Sequence, residues 1–439
     1  MADPIDFTDY TALADTLKTT YGDGLTNQFE DETTTWNQFP VSSRKCGGEG
    51  YNFGVRYSRA QSVGARTEGE KLPDPLVGKF DKGRILPVKL YGSMKISGYA
   101  IEAAKGNMNA FVDGLADGID DVYQAFVVDL NRQAWGDGFG LLGTLSAASD
   151  TLSTSADWTV TMDNTAGVQY LQAGMLVDFF DGASVDQSSV ASRISSIDHA
   201  NNTCEMEKND GTYKTNHPNS TFAGYSIAAD AVPDGAYMVK MATRDASHAS
   251  SDTPREITGL LGIYDDGTLL DTFENINADS YEEWQANKLG NSSVDRPLSI
   301  DLMLQGVNVV RSRSGKQVKT IRMGLGQRRN YANLLIPDRR FMDSNLRGGY
   351  EELSFAAGDG AIKMVIDPMA QPGKIFMEPD GVIQRYELAP LGWIDYDQVM
   401  HMRAGYDEYS MYLRLFANLG CEQRNCLAVI EDLTEPSLY

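Results

Sequence analysis

The sequence has few of the features that identify membrane, secreted or metal-dependent proteins. It contains four cysteines and four histidines among 439 residues, and its start, MADPIDFTDY, is acidic and polar. A signal peptide is basic and then apolar, and a membrane helix needs a run of about 18 apolar residues that does not occur here. The cysteines are too few and too scattered for a disulfide framework, which favours folding in a reducing compartment. We therefore expect neither secretion nor membrane insertion.

Motifs that would indicate catalysis or a metal centre are also missing. No GxSxG sequence occurs, the histidines never pair at metal-ligand spacing, and Cys421 and Cys426 stand without the second CxxC of a zinc site. The segment Gly138–Gly143 matches GxGxxG, but a dinucleotide site requires a preceding strand, and this segment follows a helical pattern. It is typical of a glycine loop that ends a helix. We expect no catalytic residue, no metal ligand and no cofactor.

The charge of the chain is strongly negative but unevenly distributed. The net charge is −23, yet residues 44–95 carry 11 basic and 5 acidic residues, and residues 311–347 carry 10 and 2. Two basic segments in an acidic protein suit either phosphate binding or head-to-tail binding between copies of one chain. We favour the second interpretation, because neither segment has the interleaved aromatic residues of a base-stacking surface.

The strongest periodic pattern runs from Ile101 to Trp135. Its apolar residues recur every three or four positions, which predicts an amphipathic helix, and acidic residues such as Asp117 and Asp120 occupy the opposite face. A helix of this length extends about 50 Å, the width of a whole domain. The tight sequence Gly136–Gly140 follows it directly. The pattern indicates a spine helix that ends in a glycine loop.

The segments on either side of this helix differ in composition. Residues 1–45 are polar and acidic, typical of an arm, and residues 46–98 carry alternating apolar residues that predict two long hairpin strands joined by a proline-containing tip. Residues 155–240 contain short apolar runs separated by turn residues, which indicates a small β-barrel or sandwich. From Pro297 onward the pattern predicts a helix ended by Gly315, a strand, a second helix and then a series of strands. The length of the chain predicts two or three domains.

In this order the segments resemble the major capsid proteins of tailed bacteriophages with the Hong Kong 97 type shell fold. The glycine loop is similar to the GDGxG…G segment that often follows the spine helix in that family, and Ile257–Leu260 and the final LAVIEDL also resemble capsid sequence. The resemblance implies an α+β fold with a small β-barrel-like domain inserted. The expected domains are an N-terminal arm (1–45), an extended loop or E-loop (46–98), a P-domain with the spine helix and glycine loop (99–154), a β-rich insertion (155–240), an A-domain with connecting segments (241–385) and return strands that complete the P-domain (386–439).

The resemblance also implies a function. Such a chain is a structural, non-catalytic subunit that assembles into hexamers and pentamers of an icosahedral shell around double-stranded DNA, without sequence-specific DNA binding and without a membrane. It implies assembly in the host bacterial cytoplasm, a place in the virion capsid, and a portal and decoration protein as further partners. Only some 45 residues precede the E-loop, so the resemblance implies that a scaffolding protein is a separate chain or is not used.

A basic hairpin without its own core is marginal alone and needs a neighbouring surface. The residues expected at this contact between subunits are Arg56, Arg59, Arg66, Lys71, Lys79, Lys82 and Arg84. Two alternatives stay open. An encapsulin-type shell of a bacterial nanocompartment shares the fold, and a more remote alternative is a nucleotide-binding α/β enzyme built on residues 297–337. That enzyme requires a phosphate loop after a strand, which the sequence does not show.

Overall fold

The computed structural model describes residues 34–44, 47–48, 50–60, 62–99, 114–146, 157–163, 167–180, 189–207, 236–241, 243, 254–278, 280–335, 354–356, 360–395, 401–402 and 405–436. The chain divides into two compact units. The first contains the described residues within Gly92–Phe126 and Trp393–Leu413, and the second contains those within Thr33–Tyr91, Val127–Gly392 and Arg414–Tyr439. Each unit is described by itself.

Helices and strands alternate along the chain, as expected for an α+β protein. The helices are α1 (Thr34–Gln38), α2 (Gly114–Trp135), α3 (Leu260–Ile263), α4 (Ile300–Ser314) and α5 (Leu325–Leu334). The strands are β1 (Tyr51–Arg56), β2 (Phe80–Ile85), β3 (Val88–Ser97), β4 (Leu141–Thr144), β5 (Trp158–Thr161), β6 (Leu176–Phe180), β7 (Ser189–Asp198), β8 (Thr203–Met206), β9 (Tyr237–Lys240), β10 (Thr272–Phe273), β11 (Ile276–Asn277), β12 (Asn287–Leu289), β13 (Thr320–Met323), β14 (Ser354–Ala356), β15 (Ala361–Ile366), β16 (Ile375–Glu378), β17 (Ile383–Trp393), β18 (His401–Met402), β19 (Glu408–Cys421) and β20 (Ala428–Ile430).

A mixed six-stranded sheet carries a hydrophobic core of the second unit. Its strand order is β12-β20-β16-β13-β15-β14, and apolar residues of α4, such as Met303, pack with sheet residues such as Ile321. Ser299 caps α4 by accepting a hydrogen bond from the backbone N–H of Leu302 at 3.2 Å, and Gly315 ends it with a φ of 73°. The predicted helix ending at Gly315, the strand after it and the second helix are confirmed.

The end of the chain returns to this same sheet. Strand β20 is parallel to β12 and antiparallel to β16. The segment 386–439, which the sequence assigns to the P-domain, thus contributes its last strand to the sheet that is otherwise built from the expected A-domain segment.

The predicted hairpin forms, but its strands are short. Strands β1 and β2 pair as an antiparallel ribbon of six residues each, with Tyr51 opposite Ile85 and Arg56 opposite Phe80. The prediction of two long strands is wrong, because β3 belongs to another sheet, where it pairs with β19. Pro87 separates β2 from β3, and a proline lacks the N–H that a continuous strand would use.

A second six-stranded sheet has the order β4-β9-β6-β7-β8-β5. Two further hydrogen bonds join the outer strands β4 and β5 at their ends. Ser146 N–H donates to the Thr161 carbonyl at 3.1 Å, and Asp163 N–H donates to the Thr144 carbonyl at 2.8 Å. The ladder of hydrogen bonds therefore runs around a ring. It begins at Leu141, which lies before the expected start of the insertion at residue 155.

The spine helix is buried on all sides at its C-terminal end. Every residue of Leu130–Trp135 is buried, whereas Phe126 is half-buried and Asp120 is exposed. The single apolar stripe expected along the whole helix therefore describes only the earlier turns of α2. The predicted residues 101–113 lie outside the described residues. The glycine loop follows the helix as predicted, with φ of 92° at Gly138 and 70° at Gly140.

The first unit contains the start of α2 and parts of β3 and β19. A Cβ added to Gly92 would lie 3.3 Å from side-chain atoms of both Val122 and Phe126, so glycine allows the helix to approach the strand closely. An ion pair of 3.1 Å joins Lys95 to Glu408. In this unit the spine helix therefore packs against β3, which in turn pairs with β19.

Candidate intersubunit surface

Aromatic side chains hold the β1–β2 ribbon to the rest of the second unit. Phe53 lies against the backbone of Gly83, where a Cβ would overlap its ring, and its ring centroid is 6.1 Å from that of Trp284. The Tyr51 ring stacks on the Tyr386 ring, and their centroids are 5.2 Å apart. The ribbon continues one residue past β1, where Tyr57 N–H donates to the Lys79 carbonyl at 3.2 Å. These contacts fix the β1–β2 ribbon, which forms the base of the loop between its two strands.

Glu274 is half-buried, and its carboxylate lies beside this base. It occupies the two-residue turn between β10 and β11 with a φ of 51°, and its backbone carbonyl accepts a 2.7 Å hydrogen bond from the Arg84 N–H of β2. Its Oε1 accepts from the Cys421 N–H at 2.9 Å, and its Oε2 has no partner among the described residues. Burial raises the pKa of Glu274 well above its usual value, and the nearby Arg424 guanidinium only partly offsets this.

The raised pKa of Glu274 predicts a pH-dependent effect of Glu274→Gln. A raised folded-state pKa contributes stability that is complete below the unfolded pKa of about 4.3 and is lost as the pH rises through the folded pKa. Glutamine stays neutral, so the variant should gain free energy of unfolding over the wild type as the pH is raised from 5 to 8. Urea unfolding of unassembled protein at both values measures this. Glu283→Gln, at an exposed site, is the control. An equal difference at both pH values would contradict the prediction.

The loop between β1 and β2 exposes apolar side chains. The exposed fractions are 94% for Val63, 84% for Val77 and 76% for Leu72, and Leu76 is 55% exposed. None of the described residues within 57–79 belongs to a strand or helix. Exposed apolar residues concentrated in one loop indicate a surface that another molecule covers. These side chains add an apolar component to the surface at which the sequence predicts a contact between subunits.

Most of the seven basic residues predicted at this contact lie on the loop and ribbon surface. Arg56 is exposed and stacks its guanidinium 4.8 Å over the Phe80 ring. Arg66 donates to the Lys71 carbonyl at 3.0 Å, and the exposed Lys71 forms a 2.7 Å ion pair with Asp74. Arg59, Lys79 and Lys82 are exposed. Arg84 differs, because it is half-buried and its backbone is bonded to the Glu274 turn.

The start of the described chain is anchored rather than extended. Thr35 is fully buried, its N–H donates to Asn131 Oδ1 at 3.2 Å, and its hydroxyl bonds to Asp367. Asn131 Nδ2 also donates to Asp367 at 3.2 Å. The adjacent Phe39 ring lies 4.6 Å from the Arg322 guanidinium. Residues 34–44 of the expected arm thus belong to the second unit and pack on its other segments, and sequence patterns gave no indication of these contacts.

Buried charges next to the spine helix were likewise missed by sequence reasoning. Arg132 lies between Asp129 at 3.0 Å and Glu256 at 2.7 Å, and Lys240 reaches Asp129 at 2.8 Å. Burial alone would raise the pKa of Asp129, but Arg132 and Lys240 outweigh it and hold that pKa far below its usual range. This network joins α2 to β9.

One segment has the strand–glycine–helix order of a phosphate loop, but a carboxylate lies at the start of its helix. Strand β13 leads through Gly324 into α5, but the Glu435 carboxylate lies over this helix start. A Cβ on Gly326 would overlap that carboxylate, and Gly373 N–H donates to Glu435 at 2.9 Å. A carboxylate at this position repels phosphate, so the arrangement disfavours the nucleotide-binding alternative.

Two further kinds of site are absent from the part of the chain that the structure describes. No group of three or more His, Cys, Asp or Glu side chains is placed to hold a metal ion in this part of the chain. None of the helices described above is long and apolar enough to cross a membrane.

Comparison with solved structures shows similarity over nearly the whole chain. The capsid asymmetric unit of cyanophage A-1(L) matches with a TM-score of 0.58 at 12% identity, covering 98% of this chain and 99% of that chain. The capsid of a native GTA particle matches with a TM-score of 0.49 at 8% identity, covering 98% and 100%. The capsid of Myoviridae phage XM1 matches with a TM-score of 0.49 at 9% identity, covering 96% and 98%. No protein-family model and no curated protein matches the sequence.

The similarity defines the class of fold. The cyanophage match shows that this α+β chain has the fold of a phage capsid protein, as the sequence resemblance implies.

Proposed function

We propose that this chain is the major capsid protein of a tailed bacteriophage, a structural subunit that assembles into an icosahedral shell around double-stranded DNA. The observation that carries the proposal is the whole-chain similarity to a cyanophage capsid protein. The order of segments in the sequence supports it independently. A structural role explains why the chain has an exposed apolar loop and an uneven charge distribution.

The E-loop acts between subunits in this proposal. Its side chains Val63, Leu72 and Val77 contribute nothing to the core of their own chain, so their burial must come from a neighbour. The basic residues predicted at the contact, from Arg56 to Arg84, surround these apolar positions. Many copies of such a contact close a ring when each loop lies on the next subunit. Hexamers and pentamers of the chain are the rings that build an icosahedral shell.

The ring of strands β4 to β9 forms a small β-barrel-like domain inserted between the spine helix and the A-domain. The hydrogen bonds from Ser146 and Asp163 that link its outer strands support this interpretation. The bounds of the other domains are proposed as the sequence predicts them, with residues 34–44 packed on the body.

The acidic remainder of the chain suits an enclosure for DNA. A net charge of −23 repels phosphate, so packed DNA would not adhere to the shell wall, and no sequence-specific DNA contact is needed. The proposal includes assembly in the host cytoplasm, with a separate scaffolding protein, a portal and a decoration protein as partners. A nanocompartment shell would differ in its neighbouring genes, which would encode a cargo enzyme in place of a portal and a terminase.

Sedimentation of the purified chain tests the proposal. We expect a large, discrete species that contains many copies and appears as closed shells by negative-stain microscopy. A chain that sediments only as single subunits, at every salt concentration at which it stays soluble, would contradict the proposed function.

A further inference from the structure

The turn between β10 and β11 has a glutamate where this kind of turn favours asparagine or glycine. Glu274 and Asn275 are its two central residues, and both are left-handed, with φ of 51° and 67°. Asparagine tolerates this conformation, whereas it is unfavourable for a longer side chain such as glutamate. A residue kept at a position that strains its backbone indicates a role for its side chain.

Glu274 holds two other elements through different parts of the same residue. Its backbone carbonyl accepts a 2.7 Å hydrogen bond from the Arg84 N–H of β2, which is a strand of the ribbon at the base of the E-loop. Its side-chain Oε1 accepts a 2.9 Å hydrogen bond from the Cys421 N–H at the end of β19. A change at the carboxyl group that displaces the turn therefore also breaks its contact with the ribbon.

The carboxyl group of Glu274 lies in a crowded place. A Cβ added to Gly420 would lie 3.0 Å from Glu274 Oε1 and 2.4 Å from the side chain of Ile85, which is 1% exposed. Glu274 Oε2 is buried and has no hydrogen-bond partner in the part of the chain that the structure describes. A neutral carboxyl group is tolerated at such a position, but an ionised one loses hydration that no other group replaces.

The charges near this carboxyl group do not offset its burial. The groups around it are Arg84 of β2, Tyr386 of β17, Cys421 and Glu422 at and after the end of β19, and Arg424 in the 3₁₀ turn that follows. Burial raises the pKa of Glu274 well above its usual value, Arg424 lowers it only in part, and Glu422 raises it further. Burial also raises the pKa of the Cys421 thiol and of the Tyr386 hydroxyl, so both stay neutral between pH 5 and 8.

The Arg424 guanidinium is already engaged with the backbone. Its Nε donates to the Ile263 carbonyl at 3.0 Å, and its Nη2 donates to the Asp265 carbonyl. It is fully buried and lies over the Phe273 ring, 4.5 Å from the ring centroid. Because these contacts hold it in place, the guanidinium does not turn to pair with Glu274 when that carboxyl group loses its proton.

We propose that the Glu274 turn is a proton-dependent latch on the base of the E-loop. With the carboxyl group neutral, the turn holds β2 through the Arg84 N–H. When the carboxyl group releases its proton to solvent, the turn moves outward until the carboxylate meets water, the hydrogen bond to Arg84 is lost and the ribbon loosens. The latch lies within one chain and needs no second copy, so it does not depend on the proposed function.

Hydrogen–deuterium exchange of the unassembled full-length chain tests the latch. Protection of the backbone of β2 is measured from pH 5 to pH 8 relative to an unstructured peptide of the same sequence, which corrects for the intrinsic effect of pH on exchange. We expect the protection of β2 to fall by about tenfold or more as the pH rises, the factor given by a difference of about one pKa unit between the closed and open turn. Protection of β13, in the mixed six-stranded sheet, should not change.

Glu274→Gln keeps a side chain of similar shape without a charge, so its β2 protection should be the same at every pH. Glu283→Gln removes an exposed acid and should behave as the wild type. An equal fall in Glu274→Gln, or no fall in the wild type, would overturn the inference. An equal fall in β2 and β13 would also overturn it, because it would indicate unfolding of the whole unit rather than release of one turn.

Glu422→Gln provides the test if Glu274→Gln does not fold. Removing the Glu422 charge favours the ionised form of Glu274, so the fall in β2 protection should occur at a lower pH than in the wild type. A fall at the same pH as in the wild type would count against the latch.

Discussion

Replacing residues 58–78 by Asn-Gly should leave a folded subunit that no longer forms closed shells. The last hydrogen-bonded pair of the ribbon, Tyr57 with Lys79, is retained, and Asn-Gly forms the tight turn that such a pair accepts. The removed loop exposes Val63 and Val77 almost completely, so the core loses nothing. We expect an unchanged unfolding midpoint in urea and loss of the large species in sedimentation.

Two full-length variants separate the contributions of apolar and charged residues in the loop. Changing Val63, Leu72 and Val77 to serine should prevent closed shells, because the burial that stabilises the contact is removed. Changing Lys71 and Asp74 to alanine removes an ion pair whose side chains are 81% and 73% exposed, and exposed pairs contribute little, so shells should form normally. Normal shells from the Asn-Gly replacement would show that the loop does not act between subunits.

Trp135→Ala should lower the free energy of unfolding by about 3–5 kcal/mol, as is typical for truncation of a fully buried large aromatic residue. Trp135 has no exposed surface. Its ring packs edge to face with the Phe376 ring, and the two ring centroids are 5.6 Å apart. The loss is a large part of the stability of a typical domain, about 5–15 kcal/mol. The soluble yield should therefore fall before assembly is tested. Urea unfolding of unassembled protein measures the effect.

Tyr123→Ala is the matched control, an aromatic truncation on the same helix about three turns earlier. Tyr123 is 48% exposed, so its truncation should change the free energy of unfolding by no more than about 0.5 kcal/mol. Similar destabilisation by both variants would mean that the spine helix is buried evenly along its length. Phe126, one turn farther along the same helix, is half-buried, and Phe126→Ala is expected to give an intermediate result.

Local patterns were sufficient for the regular elements of the fold. The α4 helix has a capping serine at Ser299 and a glycine at Gly315, and both act within one turn of the helix ends. The glycine loop after the spine was predictable because only a few conformations end a helix so tightly. The resemblance to capsid proteins added the order of the domains, which no single motif indicates.

Pairing partners were not predictable from alternation alone. The alternating residues from Val88 to Ile96 indicate a half-buried strand, and β3 has that burial pattern. Alternation does not say which strand lies beside it, and β3 pairs with β19 rather than extending the hairpin. The same limit applies to the ring of strands, whose first member, β4, lies directly after the glycine loop.

Contacts between residues far apart in the sequence escaped prediction for a related reason. Thr35, Asn131 and Asp367 come from three distant segments, and none is unusual in its local sequence. A cleft lined by Arg56, Arg313 and Arg424 also combines distant parts of the chain, which come together only in the folded protein. The basic composition of residues 44–95 pointed to the E-loop side of this surface, and nothing local pointed to the other side.

Cryo-electron microscopy of the purified full-length chain is the most direct test of the central claim, that this is a shell subunit whose E-loop binds a neighbour. We expect closed icosahedral particles built from hexamers and pentamers, with Val63, Leu72 and Val77 of each copy covered by an adjacent subunit. Particles in which this loop contacts only its own chain, or a protein that stays monomeric in every buffer tested, would contradict the account.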